Sequence, residues 1–323
     1  MKILRSRLLG GVAALCLCAT AAPAGTLRWG GSTDLNSLDP YSFGSTFTLS
    51  FLNHVYEGLV RYDADLQIEP ALAERWEELQ PDLWRFHLRQ GVTFHNGAAF
   101  TAEDVLASLT RVSHPTSPLR GNLPTYASAT VVDDHTIDIQ LTGPYPLLLN
   151  DLTNIFIFDA GWLRDNDSEL PTDVAAGVEG FATFNANGTG PFIIEERVPD
   201  TRTTLVVNPA WWDTPAHNVT RIEFSPITSA ATRVSALLSG EIDFVEGAPI
   251  QDLPRLQAAP NVNVIEGNAL RTIMFGFNRR ETLADGRPNP FNDLRVRQAI
   301  AHAIDLNLIR DRVMRGASRN AGT

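Results

Sequence analysis

The stretch WRFHLRQGVTFHNGAAFTAEDV, residues 84–105, contains two different hydrophobic periods side by side. In its first part the apolar side chains Trp84, Phe86 and Leu88 alternate with basic ones. Successive side chains of a β-strand point to opposite faces, so this alternation is typical of a strand with one buried face. The sequence therefore predicts a half-buried strand over residues 83–88.

The second part of the stretch predicts a turn followed by a helix. The sequence HNG at residues 95–97 is typical of a tight turn, and Thr101 with Asp104 three residues later is typical of an N-capping pair. The apolar residues that follow, through Val112, have the spacing of one helix face. A strand, a turn and a helix in such close succession favour an α/β fold.

Strands and helices alternate along the rest of the chain as well. Two further amphipathic helices are predicted, one through Leu52, Val55, Tyr56, Leu59 and Val60, and one over residues 293–313 with Val296, Ile300, Ile304 and Leu308 on one face. The other predicted elements are a strand at residues 26–30, a hairpin over residues 131–141 that turns at residues 133–135, strands around Leu205, Ile222 and Phe244, and a helix over residues 231–239 that ends at Gly240.

Residues 1–24 have the features of a secretory signal peptide. Basic residues precede an apolar run over residues 8–19, and the sequence APA at residues 22–24 supplies small side chains for cleavage. The apolar run is too short for a membrane span, and no other stretch of the sequence reaches that length. Cys16 and Cys18, the two cysteines of the chain, lie within this signal peptide and would be removed with it. We therefore expect a periplasmic mature protein without a disulfide.

The charge of the chain disfavours two classes of partner. The formal net charge is −11, and removal of Lys2, Arg5 and Arg7 with the signal peptide would change it to −14. Nucleic acids and anionic lipids require a concentrated basic surface, and the sequence contains no cluster of lysines and arginines. We therefore expect neither nucleic acid nor a membrane surface as a partner.

The sequence contains no recognisable catalytic or metal-binding motif. GxSxG, HExxH, Walker A and a GxGxxG after a strand are all missing. The sequence GTG at residues 188–190 is followed by Pro191, where a phosphate loop needs helix amides, so we interpret it as a structural turn. His87 and His95 have no cysteine or carboxylate beside them, so we predict no metal site.

Two other pairs of residues have both a structural and a functional interpretation. Glu103 and Asp104 could form an acid/base pair, but carboxylates in the first turn of a helix also complement its dipole. Trp211 and Trp212 could stack on a sugar or a base, but their proline-rich flanks favour a loop that plugs into the core. We favour the structural interpretation for both pairs.

Several segments together resemble the family 5 extracellular solute-binding proteins, which include the dipeptide- and oligopeptide-binding receptors of ABC importers. The resemblance extends over almost all of the chain after residue 25 and depends on the order of the segments. They are SLDP (37–40), EGLV (57–60), PALAERWE (70–77), WRFHLRQGVTFHNG (84–97), FTAEDV (100–105), GTGPF (188–192), NPAWW (208–212), LLSGEIDF (237–244) and PFNDLRVRQAIAHAID (290–305).

The resemblance implies an α/β, periplasmic binding protein-like fold of type II, with two lobes and an extra inserted subdomain. Lobe I with its inserted subdomain would comprise residues 25–267, and residues 268–323 would begin lobe II. Most of lobe II and the return strand to lobe I are expected in family members but not in this sequence. We therefore expect lobe II to be incomplete, as in a truncated chain or a fragment.

The resemblance also implies a function. The protein would be the extracytoplasmic substrate-binding component of an ABC importer that captures a peptide between its lobes and presents it to the inner-membrane permease complex. We expect a monomer without cofactor or enzymatic activity. One alternative is the same receptor role for a nickel complex, glutathione, an opine or an oligosaccharide. A more distant alternative is an exported hydrolase.

The same resemblance suggests which residues contact the ligand. Peptide-binding members hold their ligand largely by main-chain hydrogen bonds. Here the segment after SLDP, namely Phe43, Gly44, Ser45 and Thr46, occupies the matching position, where glycine lets a ligand backbone approach and the hydroxyls could add polar contacts. Ser45 or Thr46 could equally be the N-cap of a helix. Further candidates are Glu246, Gly247 and Thr272.

Overall fold

The computed structural model describes residues 25–267 and 272–321, so the predicted signal peptide lies outside the described residues. The chain divides into two compact units, which are described separately. Within the described residues, the first unit comprises residues 25–27 and Leu35–Glu223, and the second comprises Arg28–Asp34, 224–267 and 272–321.

Helices and strands are interleaved along the chain, as the sequence predicts. Up to residue 165 they are β1 (Gly25–Gly31), α1 (Thr46–Leu52), β2 (Val60–Tyr62), β3 (Ile68–Pro70), β4 (Ala73–Gln80), β5 (Leu83–Leu88), α2 (Ala102–Ser113), β6 (Tyr126–Asp133), β7 (Thr136–Leu141), α3 (Leu148–Leu152) and α4 (Ala160–Asp165). They continue with α5 (Phe181–Phe184), β8 (Phe192–Val198), β9 (Arg202–Val207), β10 (Val219–Pro226), α6 (Ala230–Ser239), β11 (Phe244–Val245), α7 (Leu253–Gln257), α8 (Leu294–Ala303) and α9 (Leu306–Leu308).

Within the described residues the strands form three sheets. A four-stranded antiparallel sheet has the order β4-β5-β7-β6, and β2 and β3 form a separate antiparallel pair. A five-stranded sheet has the order β11-β1-β10-β9-β8, in which β1 and β11 are parallel and β8 and β9 are antiparallel. The mixture of parallel and antiparallel pairing confirms the α/β class.

The strand and the turn predicted within residues 84–105 are confirmed. In β5 the side chains of Phe86 and Leu88 are buried, and Phe86 pairs with Ile137 of β7. The turn closes through a hydrogen bond from the Gly97 amide to the Phe94 carbonyl, at 2.8 Å. Gly97 has a φ of 89°, a left-handed conformation that glycine adopts without strain.

The N-capping pair of α2 is also confirmed. The Thr101 amide donates to the Asp104 carboxylate at 2.7 Å, which satisfies an amide that the helix itself leaves free. The second oxygen of Asp104 accepts from the Ala160 amide at 2.8 Å, so the same carboxylate joins α2 to α4. Asp104 is therefore structural, in agreement with the interpretation of its position in the first turn.

Several other predicted elements are confirmed. The strands around Leu205, Ile222 and Phe244 are β9, β10 and β11, and the predicted opening strand is β1. The predicted hairpin is β6 and β7, although β6 begins five residues earlier, at Tyr126. Helix α6 ends at Gly240, which has a φ of 75°.

The predicted helix from Leu52 through Val60 is wrong. Helix α1 ends at Leu52, and the carbonyls that would continue it bind another segment. The His54 carbonyl accepts from the Phe192 amide and the Val55 carbonyl accepts from the Gly190 amide, both at 2.9 Å. The five apolar residues with helical spacing are all buried, but they belong to the end of α1, to the irregular segment after it and to β2.

The predicted helix over residues 293–313 is also wrong in its length. Helix α8 ends at Ala303, because Ile304 has extended backbone angles, φ −102° and ψ 115°. The Asp305 side chain then accepts from the Leu308 amide at 2.9 Å, so Asp305 begins a new short helix, α9. A π-helical turn over Ile309–Val313 follows.

The GTG sequence is a structural turn that packs directly against the turn after α1. A Cβ atom on Gly188 would lie 2.0 Å from the Val55 carbonyl oxygen, and one on Gly190 would lie 2.7 Å from it. Only glycine permits this approach of two backbone segments. The contact explains why the chain has glycine at both positions.

We predict that Gly188→Ala destabilises the protein, because the backbone must move to accommodate the new methyl group. The expected loss in the free energy of unfolding is about 1–3 kcal/mol, measured by urea denaturation. Gly143→Ala is the matched control, since a methyl group there would meet no atom of a non-neighbouring residue within 4 Å. Equal stability of the two variants would contradict the prediction.

Candidate functional site

The candidate segment 43–46 begins directly after a polar turn formed by the SLDP sequence. The Ser37 hydroxyl accepts from the Asp39 amide at 2.9 Å, and the Asp39 carboxylate accepts from the Tyr41 amide at 3.0 Å. The Asp39 carbonyl accepts from the amides of Ser42 and Phe43, each at 3.2 Å. These local bonds bend the chain and fix the start of the candidate segment.

A buried ion pair holds this turn against α2. The Arg111 guanidinium donates to the Asp39 carboxylate at 2.5 Å, and both side chains are almost completely buried. The rings of Phe158 and Tyr41 lie 5.2 and 5.9 Å from the guanidinium carbon, and Arg111 also donates to the Ser168 carbonyl. Because removal of one partner would leave a buried uncompensated charge, the pair strongly constrains the turn.

Within the candidate segment, Ser45 has a structural role. Its hydroxyl accepts from the Thr48 amide at 3.1 Å, so Ser45 is the N-cap of α1, as one of the two interpretations requires. Thr46 is exposed, and the described residues include no side-chain hydrogen-bond partner for it. The hydroxyl of Thr46 is therefore available to a ligand, and that of Ser45 is largely committed.

Gly44 and Phe43 have different surroundings. Gly44 is exposed, but a Cβ atom on it would lie 3.0 Å from the Leu119 side chain and 3.1 Å from that of Pro118. Substitution of Gly44 would thus disturb the loop after α2 as well as any ligand. Phe43 is partly buried.

The other candidates, Glu246, Gly247 and Thr272, are exposed residues of the second unit. Glu246 and Gly247 directly follow β11, and Gly247 has a φ of 65°, which marks a tight turn there. Among the residues that the structure describes, neither Glu246 nor Thr272 has a side-chain hydrogen-bond partner. The role of these three residues stays a prediction.

A buried carboxylate joins three of the segments that carry the family resemblance. Glu57, which is 8% exposed, accepts from the Thr189 hydroxyl at 2.9 Å. It also accepts from the indole nitrogens of Trp211 and Trp212, at 3.2 and 2.9 Å. We call these four residues the Glu57 cluster; they belong to the EGLV, GTGPF and NPAWW sequences.

The two tryptophans of the Glu57 cluster are structural. Their polar nitrogens bind a buried carboxylate, and the Arg89 guanidinium covers the ring of Trp212 at 4.0 Å from its centre. These bonds support a structural role for the NPAWW loop, although both indole rings are only half-buried. Sequence reasoning missed the partner, Glu57, although a glutamate inside the apolar run VYEGLV was a signal for a buried carboxylate.

The hydrogen bonds of the Glu57 cluster are those of a structural carboxyl group. Burial raises the pKa of the Glu57 carboxyl, and the hydrogen bonds from Trp212, Thr189 and Trp211 oppose this shift. Three donors occupy its oxygens, although Glu57 also lines a cavity of about 200 Å³ together with Asn53, Arg61 and Thr153. A carboxylate that is satisfied in this way holds segments together.

The two histidines considered as metal ligands form other hydrogen bonds. The Nε2 atom of His87 lies 2.9 Å from a carboxylate oxygen of the exposed Glu77. The Nε2 atom of His95 lies 3.0 Å from the Gly190 carbonyl, and burial lowers the pKa of its ring. In the described parts of the chain, no three His, Cys, Asp or Glu side chains are grouped to hold a metal ion.

The fold and the family segments identify the class of the protein. A family model for bacterial extracellular solute-binding proteins, family 5, matches residues 67–323, so the chain belongs to this family. Over the residues that the structure describes, no helix has the length and apolar character that a membrane crossing requires.

Two curated relatives of the chain are named for the ligands that they bind. The chain is 27% identical to the periplasmic oligopeptide-binding protein OppA of Salmonella typhimurium, over 94% of this chain and 58% of the relative. It is 31% identical to heme-binding protein A of Haemophilus influenzae, over 83% of this chain and 50% of the relative. The chain therefore spans little more than half the length of these relatives.

Solved structures agree with the fold. The periplasmic binding protein DppA of Helicobacter pylori, in complex with the peptide STSA, has a TM-score of 0.73 and 25% identity, over 90% of this chain and 59% of that protein. AppA of Bacillus subtilis, in complex with a nonapeptide, has a TM-score of 0.77 and 21% identity, over 92% of this chain and 57% of that protein. Both structures support the type II periplasmic binding protein fold, and at its lower identity AppA supports the fold alone.

We predict that Ser45→Ala lowers the free energy of unfolding by about 1 kcal/mol, because the first turn of α1 loses its cap. Thr46→Ala is the matched control and should leave stability within about 0.5 kcal/mol, since the Thr46 side chain is exposed. Thermal unfolding measured by circular dichroism provides the comparison. An unchanged melting temperature for Ser45→Ala would show that the cap is unimportant.

We predict a pH-dependent effect of Glu57→Gln. The pKa of Glu57 is raised in the folded state, so folding favours its protonated form. The stability from this group is fully present below the ordinary glutamate pKa of about 4.3 and is lost as the pH rises through the raised pKa. The parent protein should therefore lose stability relative to Glu57→Gln as the pH rises, measured by urea denaturation between pH 4 and pH 8.

The control for this experiment is Glu78→Gln, which removes an exposed carboxylate from β4. Its stability should follow that of the parent protein throughout the pH range. A constant difference between the parent protein and Glu57→Gln would contradict the raised pKa.

Proposed function

We propose that this chain is part of the extracytoplasmic substrate-binding component of an ABC importer, which binds peptides and delivers them to the inner-membrane permease complex. The observation that carries the proposal is the likeness to DppA in complex with STSA, at 25% identity and a TM-score of 0.73. The identity to OppA supports the same class of ligand. In this role the protein acts by binding and release and not by catalysis.

The candidate segment offers suitable groups for a peptide. An extended peptide is held mainly by hydrogen bonds to its main chain, so the same site tolerates varied side chains. Such a site needs exposed backbone or hydroxyl groups that can form these hydrogen bonds. Gly44 and Thr46 are exposed, and the ion pair between Asp39 and Arg111 holds the preceding turn in a fixed conformation. We propose residues 43–46 of the first unit as ligand contacts. Glu246, Gly247 and Thr272 of the second unit are proposed separately as ligand contacts.

The location and organisation of the protein are also proposals. Residues 1–24 would be a cleaved signal peptide, and the mature protein would be a periplasmic monomer. Residues 25–267 would form lobe I with its inserted subdomain, and residues 268–323 would begin lobe II. The periplasmic location of OppA supports export.

A non-peptide solute is the second candidate ligand. Heme-binding protein A has a higher identity to this chain, 31%, than OppA has, 27%. The glutathione-binding protein GsiB of Salmonella typhi is 26% identical, and the structure of MoaA in complex with mannopinic acid has a TM-score of 0.70 at 27% identity. Because these related proteins are named for different ligands, each of those ligands is a candidate for this chain.

The ligand class can be tested by thermal shift with the full-length protein. We expect peptide pools to raise its melting temperature, because a ligand that binds only the native state stabilises it by mass action. Glutathione, heme and mannopinic acid form the competing set. A shift with one of these solutes and none with peptides would contradict peptide binding.

The role of the candidate segment can be tested in the same assay. Thr46→Ala should weaken ligand affinity about threefold to tenfold without changing the melting temperature of the free protein, because one lost hydrogen bond is worth about 0.5–1.5 kcal/mol. Thr130→Ala, an exposed threonine on β6, is the matched control. Equal affinities would remove Thr46 from the site.

A further inference from the structure

An aromatic face lies on α5 and α4 of the first unit. Phe181 and Phe184 are separated by three positions, as on one side of a helical turn, and are 43% and 48% exposed. The ring of Trp162 from α4 lies 5.5 Å from that of Phe181. We call these three residues the aromatic face. Large exposed aromatic groups that adjoin one another are typical of binding surfaces.

The aromatic face is connected to the candidate ligand segment. A Cβ atom on Gly180, the N-cap of α5, would lie 3.1 Å from the Thr172 side chain. The Thr172 amide in turn donates to the hydroxyl of Ser42, at 2.9 Å, and Ser42 directly precedes Phe43. Gly180, Thr172 and Ser42 therefore connect Phe181 to Phe43.

A second connection leads to the same turn. The Leu38 amide, in the SLDP sequence, donates to the Thr183 carbonyl in the middle of α5, at 2.9 Å. Thr183 is buried, whereas Phe181 and Phe184 on either side are exposed. The turn before the candidate segment and the aromatic face are thus held together at two points within one unit.

The charge around the aromatic face indicates the kind of group that would bind there. Residues 164–184 contain five acidic residues and one basic residue, the exposed Arg164, which gives a net charge of −4. Glu169 and Glu179 are exposed, and their carboxylates have no hydrogen-bond or ion-pair partner among the described residues. Carboxylates and the faces of aromatic rings both attract cations, so the surface complements a group that is both basic and apolar.

We infer that the aromatic face and the acidic segment around it form part of the ligand site and favour peptides that combine a bulky apolar side chain with a lysine or arginine. The inference rests on the proposed function and names a subclass of its ligands. The connection to residues 43–46 favours the ligand as occupant over a second copy of the protein or the permease.

The test uses tetrapeptide pools in which one position is fixed as Phe, Lys, Ala or Glu, and the full-length protein. The pools with Phe or Lys should bind about tenfold more tightly than the pools with Ala or Glu, measured by titration calorimetry; tenfold corresponds to about 1.4 kcal/mol. The preference for Lys over Glu should decline at high salt, because exposed charges are screened.

Two double variants test the residues. Phe181→Ser with Phe184→Ser should reduce the preference for Phe over Ala to less than about twofold, because the apolar contact area is lost. Glu169→Gln with Glu179→Gln should reduce the preference for Lys over Glu about threefold, as expected for two exposed charges. Circular dichroism verifies that each variant is folded.

Matched controls remove similar groups from the four-stranded sheet. Leu79→Ser with Val132→Ser removes exposed apolar side chains from β4 and β6, and Glu74→Gln with Glu78→Gln removes exposed carboxylates from β4. Both control variants should have the preferences of the parent protein.

The outcomes separate the two proposals. If peptides bind but the pools bind equally, or if the preferences survive in the double variants, the inference is wrong and the proposed function stands. If no pool binds and a non-peptide solute does, peptide transport is wrong and the inference falls with it. A loss of self-association in Phe181→Ser with Phe184→Ser, measured by light scattering, would identify a second copy as the occupant and overturn the inference.

Discussion

The carboxylate of Glu57 accepts three hydrogen bonds, and these bonds hold together segments of the first unit that are far apart in the chain. A buried carboxylate is costly unless donors replace the water that it loses, and here Thr189, Trp211 and Trp212 replace it. These donors come from segments more than 130 positions later in the chain. The carboxylate therefore requires the GTGPF and NPAWW loops to be in place before its burial becomes favourable.

The backbone just before Glu57 also needs the GTGPF segment as its hydrogen-bond partner. The carbonyls of His54 and Val55 are used by the amides of Phe192 and Gly190, and the glycines of the GTG turn allow the two backbones to approach. Hydrogen bonds of the main chain and of the Glu57 side chain thus connect the same segments. Loss of either set would leave polar groups buried without partners.

Sequence reasoning succeeded where local rules decide the structure. The alternation in β5, the capping pair of α2 and the glycine that ends α6 each depend on a few adjacent residues. It failed between Leu52 and Val60, because apolar spacing there reports burial and not hydrogen bonding, and it failed again at Ile304, where the helix ends. The carbonyls of His54 and Val55 bind a distant loop, and Asp305 prefers to cap a new helix.

The same distinction applies to the site. Three of the segments that carry the family resemblance meet at Glu57, and a fourth, SLDP, is held by the ion pair of Asp39 with Arg111; both carboxylates are buried and structural. The exposed groups of the first unit that could meet a ligand, Thr46 and the aromatic face, lie outside those segments. Glu57 and Asp39 of the family motifs thus make buried polar contacts of the scaffold, whereas the residues of the first unit that are proposed to contact a ligand lie between the motifs.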